Sequence, residues 1–130
     1  MNQTTVVRRG EVSVADADVV VIDRSTRWGN RFTTHASRAG YRIPGMQSST
    51  LFQTLELVPD RAAAVEAHRI EFLQRLSSAE GPELRAWLDS IRGKRLACHC
   101  APLPCHGDTY AELADMEPSK LERLIRDYAA

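Results

Sequence analysis

The sequence lacks a long hydrophobic run and an excess of charge of either sign. No stretch of about 18 apolar residues occurs, so we expect no transmembrane helix. No charged, apolar and small-residue export signal is recognisable, so we expect a cytoplasmic protein. Seventeen basic residues balance seventeen acidic ones, so the overall field attracts neither nucleic acid nor an anionic membrane. Any contact with nucleic acid would therefore need a local patch.

Internal repeats and low-complexity segments are also lacking. The hydrophobic share of 43% and the charged share of 26% are typical of globular domains and exclude a mostly disordered chain. The length of 130 residues predicts a single domain over residues 1–130. The chain has three cysteines, an odd number, and no recognisable export signal. Both observations favour free thiols over a disulfide framework.

The first half of the sequence predicts strands, a loop and a helix. β-Branched residues from Val12 to Asp23 indicate one or two strands, and the run Val19–Ile22 suits a strand covered on both faces. Residues 33–60 carry little pattern and are predicted to form a long loop or lid. Asp60 can cap a helix that begins at Arg61 and ends near Ser77 or Ser78.

The second half predicts three more helices and one more strand. Pro82 opens a helix with apolar residues at helical spacing, and a short strand follows from Arg95 to His99. Two further helices are predicted from about His106 to Ala114 and from Pro118 to about Tyr128. The alternation predicts an α/β fold, a small single domain with a short, mostly parallel sheet flanked by about four helices.

Reactive side chains are concentrated between Leu96 and Asp108. This segment holds all three cysteines and two of the four histidines. Side-chain alternation in an extended strand places Cys98 and Cys100 on the same side. The prolines that follow end the ladder, so Cys105 falls at the start of a predicted helix. Free backbone N–H groups and the helix dipole favour a thiolate or a bound anion there.

Three interpretations of this cluster remain open. In the first, Cys105 or Cys100 is a nucleophilic thiolate, His106 carries the proton, and Asp108 is a capping or catalytic carboxylate. In the second, Cys98, Cys100, Cys105 and His106 bind zinc, although separated pairs of ligands are more usual. In the third, the cysteines are small apolar core residues.

A second polar loop follows the valine-rich strand. Its Trp28, Gly29 and Asn30 could stack on and hydrogen-bond a ring-bearing ligand, or could anchor the loop on the core. The neighbouring Arg27 could clamp a phosphate. Because open α/β sheets bind ligands beyond the carboxyl ends of their strands, this loop and the cysteine cluster are expected to share a site.

Two further residues join the predicted ligand-binding set. Arg69 falls in the middle of the apolar stripe of the first helix, between Val65 and Phe72, which favours an inward role facing a ligand or an ion-pair partner. Gly107 follows the cysteine and histidine of the predicted helix start. His68, one residue before Arg69, is expected to be exposed.

Two motifs together resemble a known family. The segments from Arg27 to Phe32 and from Arg92 to Asp108 are similar to the signature of the domain of unknown function 4326, a family of small phage and bacterial proteins. The resemblance covers residues 19–114. The family pattern has proline where this chain has Arg31, and commonly an aromatic residue where it has His99. The resemblance implies nucleotide or nucleic-acid metabolism or interference with a host, within the host cytoplasm if the protein is phage-encoded.

The leading hypothesis is a small domain that binds or processes a nucleotide, a nucleoside or a nucleic-acid base. In it the loop from Trp28 to Arg31 and the turn from Cys100 to Asp108 converge at the carboxyl edge of the sheet, and Arg69 enters the same cleft. The alternative is a zinc-stabilised interaction module that contacts nucleic acid or a host protein without catalysis. Whether the protein is an enzyme, and its oligomeric state, stay open at this point.

Overall fold

A computed structural model describes residues 3–34 and 55–129 of the chain. Strands and helices alternate along it, with a short 3₁₀ turn after the first strand. In chain order the elements are β1 (Thr5–Arg8), the 3₁₀ turn (Arg9–Glu11), β2 (Val19–Val21), β3 (Phe32–Thr33), β4 (Glu56–Leu57), α1 (Arg61–Leu76), α2 (Gly81–Ile91), β5 (Arg95–Cys98), α3 (His106–Asp115) and α4 (Pro118–Tyr128). The chain is an α/β domain with short parallel sheets and, within these two ranges, four α-helices.

The main sheet has three parallel strands in the order β1, β5, β2. Arg95 of the central strand is in register with Thr5 on one side and with Val19 on the other. The central strand carries the buried residues of the sheet, whereas the three valines of β2 are only partly buried. The predicted strand covered on both faces is therefore better matched by β5, because β2 lies at the edge.

Three features of the strands differ from the prediction. The first strand, β1, was not predicted, and the residues between Val12 and Asp18 form turns rather than a strand. A separate two-stranded parallel sheet joins β3 to β4, and β4 lies within the segment predicted to be a loop or lid. The greater part of that segment, residues 35–54, lies outside the described residues.

The helix predictions are confirmed. The Asp60 side chain accepts a hydrogen bond of 2.8 Å from the backbone N–H of Ala63 and so caps α1, as expected of an acidic N-cap residue. Pro82 lies in the first turn of α2, where its missing N–H costs no hydrogen bond. Helices α3 and α4 begin at His106 and Pro118, as predicted.

The core lies between the main sheet and the helices. Helix α3 packs on β1 and β5, α1 packs on α2, α3 and α4, and α2 packs on α3. The largest fully buried side chains belong to Ile22, Phe72, Leu73, Leu76, Leu84, Leu88, Ile91, Leu96, Leu113 and Cys98. His68 is buried as well, contrary to expectation, because α1 is covered by α3 on that side and the His68 Nε2 atom lies 3.0 Å from the Tyr110 hydroxyl.

No helix in the described part of the chain combines the length and apolarity needed to cross a bilayer.

Candidate functional site

A cleft of about 290 Å³ opens at the carboxyl edge of the main sheet. All three strands lead into it, because Arg9 follows β1, Asp23 lies just beyond β2, and His99 follows β5. This is the edge at which open parallel sheets bind ligands. The remaining lining residues are Arg24, Ser25, Asn30, Phe32, Thr33, Thr34, Arg61, Val65, Cys98, Cys100, Pro104, Cys105 and His106.

The first turns of two helices also face the cleft. Arg61 is the first residue of α1, and Val65 lies one turn further along. Cys105 is the N-cap of α3 and His106 is its first residue. Because helix N-termini carry unpaired N–H groups and a partial positive charge, both favour an anion.

A buried carboxylate, Asp23, connects the strand ends. It is 7% exposed, accepts a 2.9 Å hydrogen bond from the backbone N–H of Ser25 and is also hydrogen-bonded to the Ser25 hydroxyl. The guanidinium of Arg9 donates to it, and the His99 Nε2 atom lies 3.1 Å away. Burial opposes ionisation, but the hydrogen bonds from Ser25 and Arg9 outweigh it and lower the pKa of Asp23.

Sequence reasoning missed this cluster. Arg9 and His99 are far from Asp23 along the chain and meet it only because their strands end side by side. The sequence gives a signal only for Asp23, which directly follows the valine-rich run. His99 falls within the predicted strand, and no strand is predicted before Arg9.

The thiols of Cys98 and Cys105 are in direct contact, with their Sγ atoms 3.2 Å apart. The hydrogen bond between the two thiols and the backbone N–H of Gly107 lower the pKa of Cys105 by more than burial raises it. Interaction with the Cys98 side chain, together with burial, raises the pKa of Cys100. Cys105 is therefore the most acidic of the three thiols.

Two other members of the predicted cluster make structural contacts. The carboxylate of Asp108 accepts a 3.1 Å hydrogen bond from the backbone N–H of Cys105, which is the arrangement of a capping box, and Asp108 does not line the cleft. The Nε2 atom of His106 donates a 2.6 Å hydrogen bond to the carbonyl oxygen of Ile22. Burial lowers the pKa of His106, which favours its neutral form.

Within the loop from Trp28 to Arg31, Trp28 packs on the core and Asn30 lines the cleft. The ring of Trp28 stacks on Trp87 with centroids 3.7 Å apart, so Trp28 anchors the loop rather than facing the cleft. Asn30 lines the cleft together with Cys105 and His106. Its side chain donates to the carbonyl of Ala64 at 3.0 Å.

The two glycines of the predicted set allow close packing. A Cβ atom on Gly29 would lie 2.6 Å from the Cα atom of Arg24, so only glycine fits where the loop crosses the chain. A Cβ atom on Gly107 would lie 2.8 Å from the Cδ1 atom of Ile22 and 3.0 Å from the Cγ1 atom of Val6, so Gly107 allows the start of α3 to pack closely on these side chains. Neither glycine lines the cleft.

Two arginines of the predicted ligand-binding set do not line the cleft, and for Arg69 the structure bears out the ion-pair alternative. Arg69 forms an ion pair with Glu112 of α3, and α1 faces the cleft through Arg61 instead. Arg69 lies eight residues after Arg61, or about 12 Å further along the axis of α1. Arg27 lies over the ring of Trp28 and pairs with Glu83, outside the cleft.

The zinc interpretation of the cysteine cluster finds no ready-made ligand set. Within residues 3–34 and 55–129, no group of three or more histidine, cysteine or acidic side chains is arranged to hold a metal ion. The 3.2 Å between the sulfurs of Cys98 and Cys105 is that of a hydrogen-bonded pair of thiols. Two thiolates bound tetrahedrally to one zinc ion would lie about 3.8 Å apart.

Comparisons with known proteins give one family and one relative. The model of a family described as a domain of unknown function (DUF4326) matches residues 6–116. An uncharacterised 12.4 kDa protein in the nrdA-td intergenic region of Enterobacteria phage T4 is 42% identical over 67 residues, which cover 52% of this chain and 54% of that protein. The chain thus spans about half the length of the curated relative it matches. No solved structure matches.

Proposed function

The chain belongs to the DUF4326 family, a domain of unknown function. We propose, from the charge and shape of its cleft, that the cleft binds a small phosphate-bearing ligand of the nucleotide class. The matched region, residues 6–116, includes every residue that lines the cleft. The ligand is bound, and is processed if the cleft is catalytic, at the carboxyl edge of the main sheet.

The charge of the cleft carries this proposal. Three arginines, Arg9, Arg24 and Arg61, line it, whereas Asp23 is the one carboxylate among the described lining residues. Arg9 pairs with Asp23, so the described lining residues carry more positive than negative charge, in a chain with no net charge. Together with the two helix N-termini, this arrangement favours a phosphate group.

The size and the other lining residues favour a nucleotide over a bare phosphate ion. About 290 Å³ lies near the lower end of the range for small-molecule pockets and suits a single nucleotide better than a dinucleotide. Among the lining residues, Phe32 is apolar, whereas Asn30, Ser25 and Thr33 are polar. A base or ribose needs such a mixture of apolar surface and hydrogen-bonding groups.

A thermal-shift screen tests the proposal. The panel contains inorganic phosphate, nucleosides, nucleoside monophosphates and diphosphates, and a short single-stranded oligonucleotide. We expect a nucleotide to raise the unfolding temperature more than the matching nucleoside does, because a ligand that binds only the folded state stabilises it. A response to the oligonucleotide alone would assign the cleft to nucleic acid.

Arg61→Ala is the informative variant, with Arg126→Ala as its matched control. Arg61 is an exposed residue at the cleft, and Arg126 is an exposed residue of α4 away from it. Removal of Arg61 should weaken nucleotide binding about tenfold or more. Equal binding by both variants, or no response to any phosphate-bearing compound, would refute the proposal.

A further inference from the structure

A pair of thiols lies at the inner end of the cleft. Cys98 is the last residue of β5 and Cys105 is the N-cap of α3, and the turn between them brings their sulfurs to 3.2 Å. Both side chains line the cleft, although Cys98 is only 1% exposed and Cys105 only 3%. A reagent must therefore enter the cleft to reach them, and it must be small.

The two thiols differ in their hydrogen bonding. Cys105 contacts the Cys98 thiol and lies at the start of α3, where the backbone N–H of Gly107 also lowers its pKa, and both groups stabilise a thiolate. Cys98 accepts from Cys100, but its bond to Cys105 and its burial outweigh that effect and raise its pKa. Cys105 thus has the character of an attacking sulfur, while Cys98 keeps its proton beside it.

We propose that Cys105 and Cys98 form a redox-active dithiol that reduces a small hydroperoxide admitted to the cleft. This activity does not depend on the nucleotide ligand proposed above. A hydroperoxide is the oxidant class that fits, because Cys98 and Cys105 are only 1% and 3% exposed and a bulky disulfide cannot approach them.

The reaction proceeds in two steps. The thiolate of Cys105 attacks the terminal peroxide oxygen, the O–O bond breaks, Cys105 becomes a sulfenic acid, and the alkoxide or hydroxide that leaves takes up the proton lost by the Cys105 thiol. The sulfur of Cys98 then attacks the sulfenic sulfur. The S–O bond breaks, the Cys98 proton leaves with the hydroxyl group as water, and a disulfide joins the residues. The dithiol loses two electrons and the peroxide gains them.

Peptide mapping of the wild-type protein gives the primary test. Fully reduced, folded protein is treated with hydrogen peroxide, alkylated and digested without reduction. We expect a Cys98–Cys105 disulfide, with Cys100 recovered in its alkylated form. A parallel sample treated with oxidised glutathione should keep all three thiols. The proposal fails if the folded protein keeps both thiols under peroxide, or if Cys100 is oxidised first.

Three variants separate the roles of the sulfurs. Cys98→Ala should leave a sulfenic acid on Cys105 that dimedone traps, and it should slow alkylation of Cys105 severalfold at neutral pH because alanine offers no hydrogen bond to the Cys105 sulfur. Cys105→Ser should abolish oxidation of Cys98. Cys100→Ser is the matched control from the same turn and should still form the disulfide. Peroxide oxidation of Cys98 in the absence of Cys105 would overturn the assignment.

Circular dichroism of each variant confirms that it is folded before its thiols are compared. Protein unfolded in urea provides the second reference, because the three thiols then lose their different environments. We expect the preference for Cys105 to disappear in urea. A preference that survives unfolding would show that the local sequence, rather than the contact between the two sulfurs, determines reactivity.

Discussion

Among single residues, Asp23 has the most consequential surroundings. Its carboxylate joins groups from the ends of all three strands of the main sheet, with Arg9 beyond β1, Ser25 beyond β2 and His99 beyond β5. A buried charge is costly unless partners neutralise it. Arg9 and Ser25 neutralise the Asp23 carboxylate, and the carboxylate in turn connects the three strand ends at the cleft.

We expect Asp23→Asn to lower the free energy of unfolding by about 1–3 kcal/mol at pH 7. The folded-state pKa of Asp23 is lowered, so its contribution is complete above the unfolded-state pKa and is lost as the pH falls through the folded-state value. The difference between wild type and variant should therefore shrink below about pH 4. Urea unfolding at pH 7 and at pH 3 measures it.

Asp127→Asn is the control for this experiment, because Asp127 is an exposed residue of α4. It should leave the stability at pH 7 nearly unchanged. A stability difference between wild type and Asp23→Asn that stayed constant from pH 7 to pH 3 would show that packing, and not the charge of Asp23, is responsible.

At the scale of elements, the helices depend on local sequence and the strands do not. The boundaries of α1 and α2 could be predicted because Asp60 and Pro82 mark them chemically. Strand β1 could not be predicted, since it pairs with β5, which lies ninety positions away in the register of Thr5 and Arg95. The pair β3 and β4 is too short for any period to show.

The cap of α1 provides the prediction at this scale. Asp60→Ala removes the acceptor for the Ala63 N–H group and should cost about 1 kcal/mol of stability. Asp60→Ser should restore most of the loss, because a hydroxyl also caps a helix. Thermal unfolding of the three proteins measures both effects. If Asp60→Ser were as unstable as Asp60→Ala, the contribution of Asp60 would not be hydrogen bonding at the cap.

The start of α3 shows which parts of the candidate site the sequence predicts and which it does not. Strand alternation and the prolines located Cys98 and Cys105 correctly relative to β5 and α3. They could not show that the two sulfurs touch, nor that Asp108 turns back to the N–H group of Cys105. Those contacts depend on the path of the turn, which a one-dimensional pattern does not contain.

At the scale of the whole molecule, β5 is the structural centre. It pairs with β1 and with β2, and its residues Leu96, Ala97 and Cys98 are buried. Arg9 and Arg24 reach the cleft only because this sheet aligns the ends of its strands. The charge of the cleft is thus a property of the topology, and no single segment of the sequence displays it.

Hydrogen exchange should show that β5 is more strongly protected than the small sheet formed by β3 and β4. We expect the amides of β5 to exchange at the rate of global unfolding, because pairing and burial protect them on both sides. The amides of Glu56 and Val58 are hydrogen-bonded as well, but to a two-stranded sheet, and should exchange faster. NMR detection of deuterium uptake resolves the two groups. Equal protection of both would show that the small sheet unfolds only with the whole domain.

The position of β5 between two earlier strands also has a consequence for synthesis. On the ribosome, β1 and β2 emerge long before the strand that pairs with both of them. Until residue 98 has left the exit tunnel, the run from Val19 to Ile22 stays unpaired and open to other chains. The sheet of the nascent chain therefore stays unfinished until β5 emerges, and slower elongation lengthens the period in which those valines are exposed.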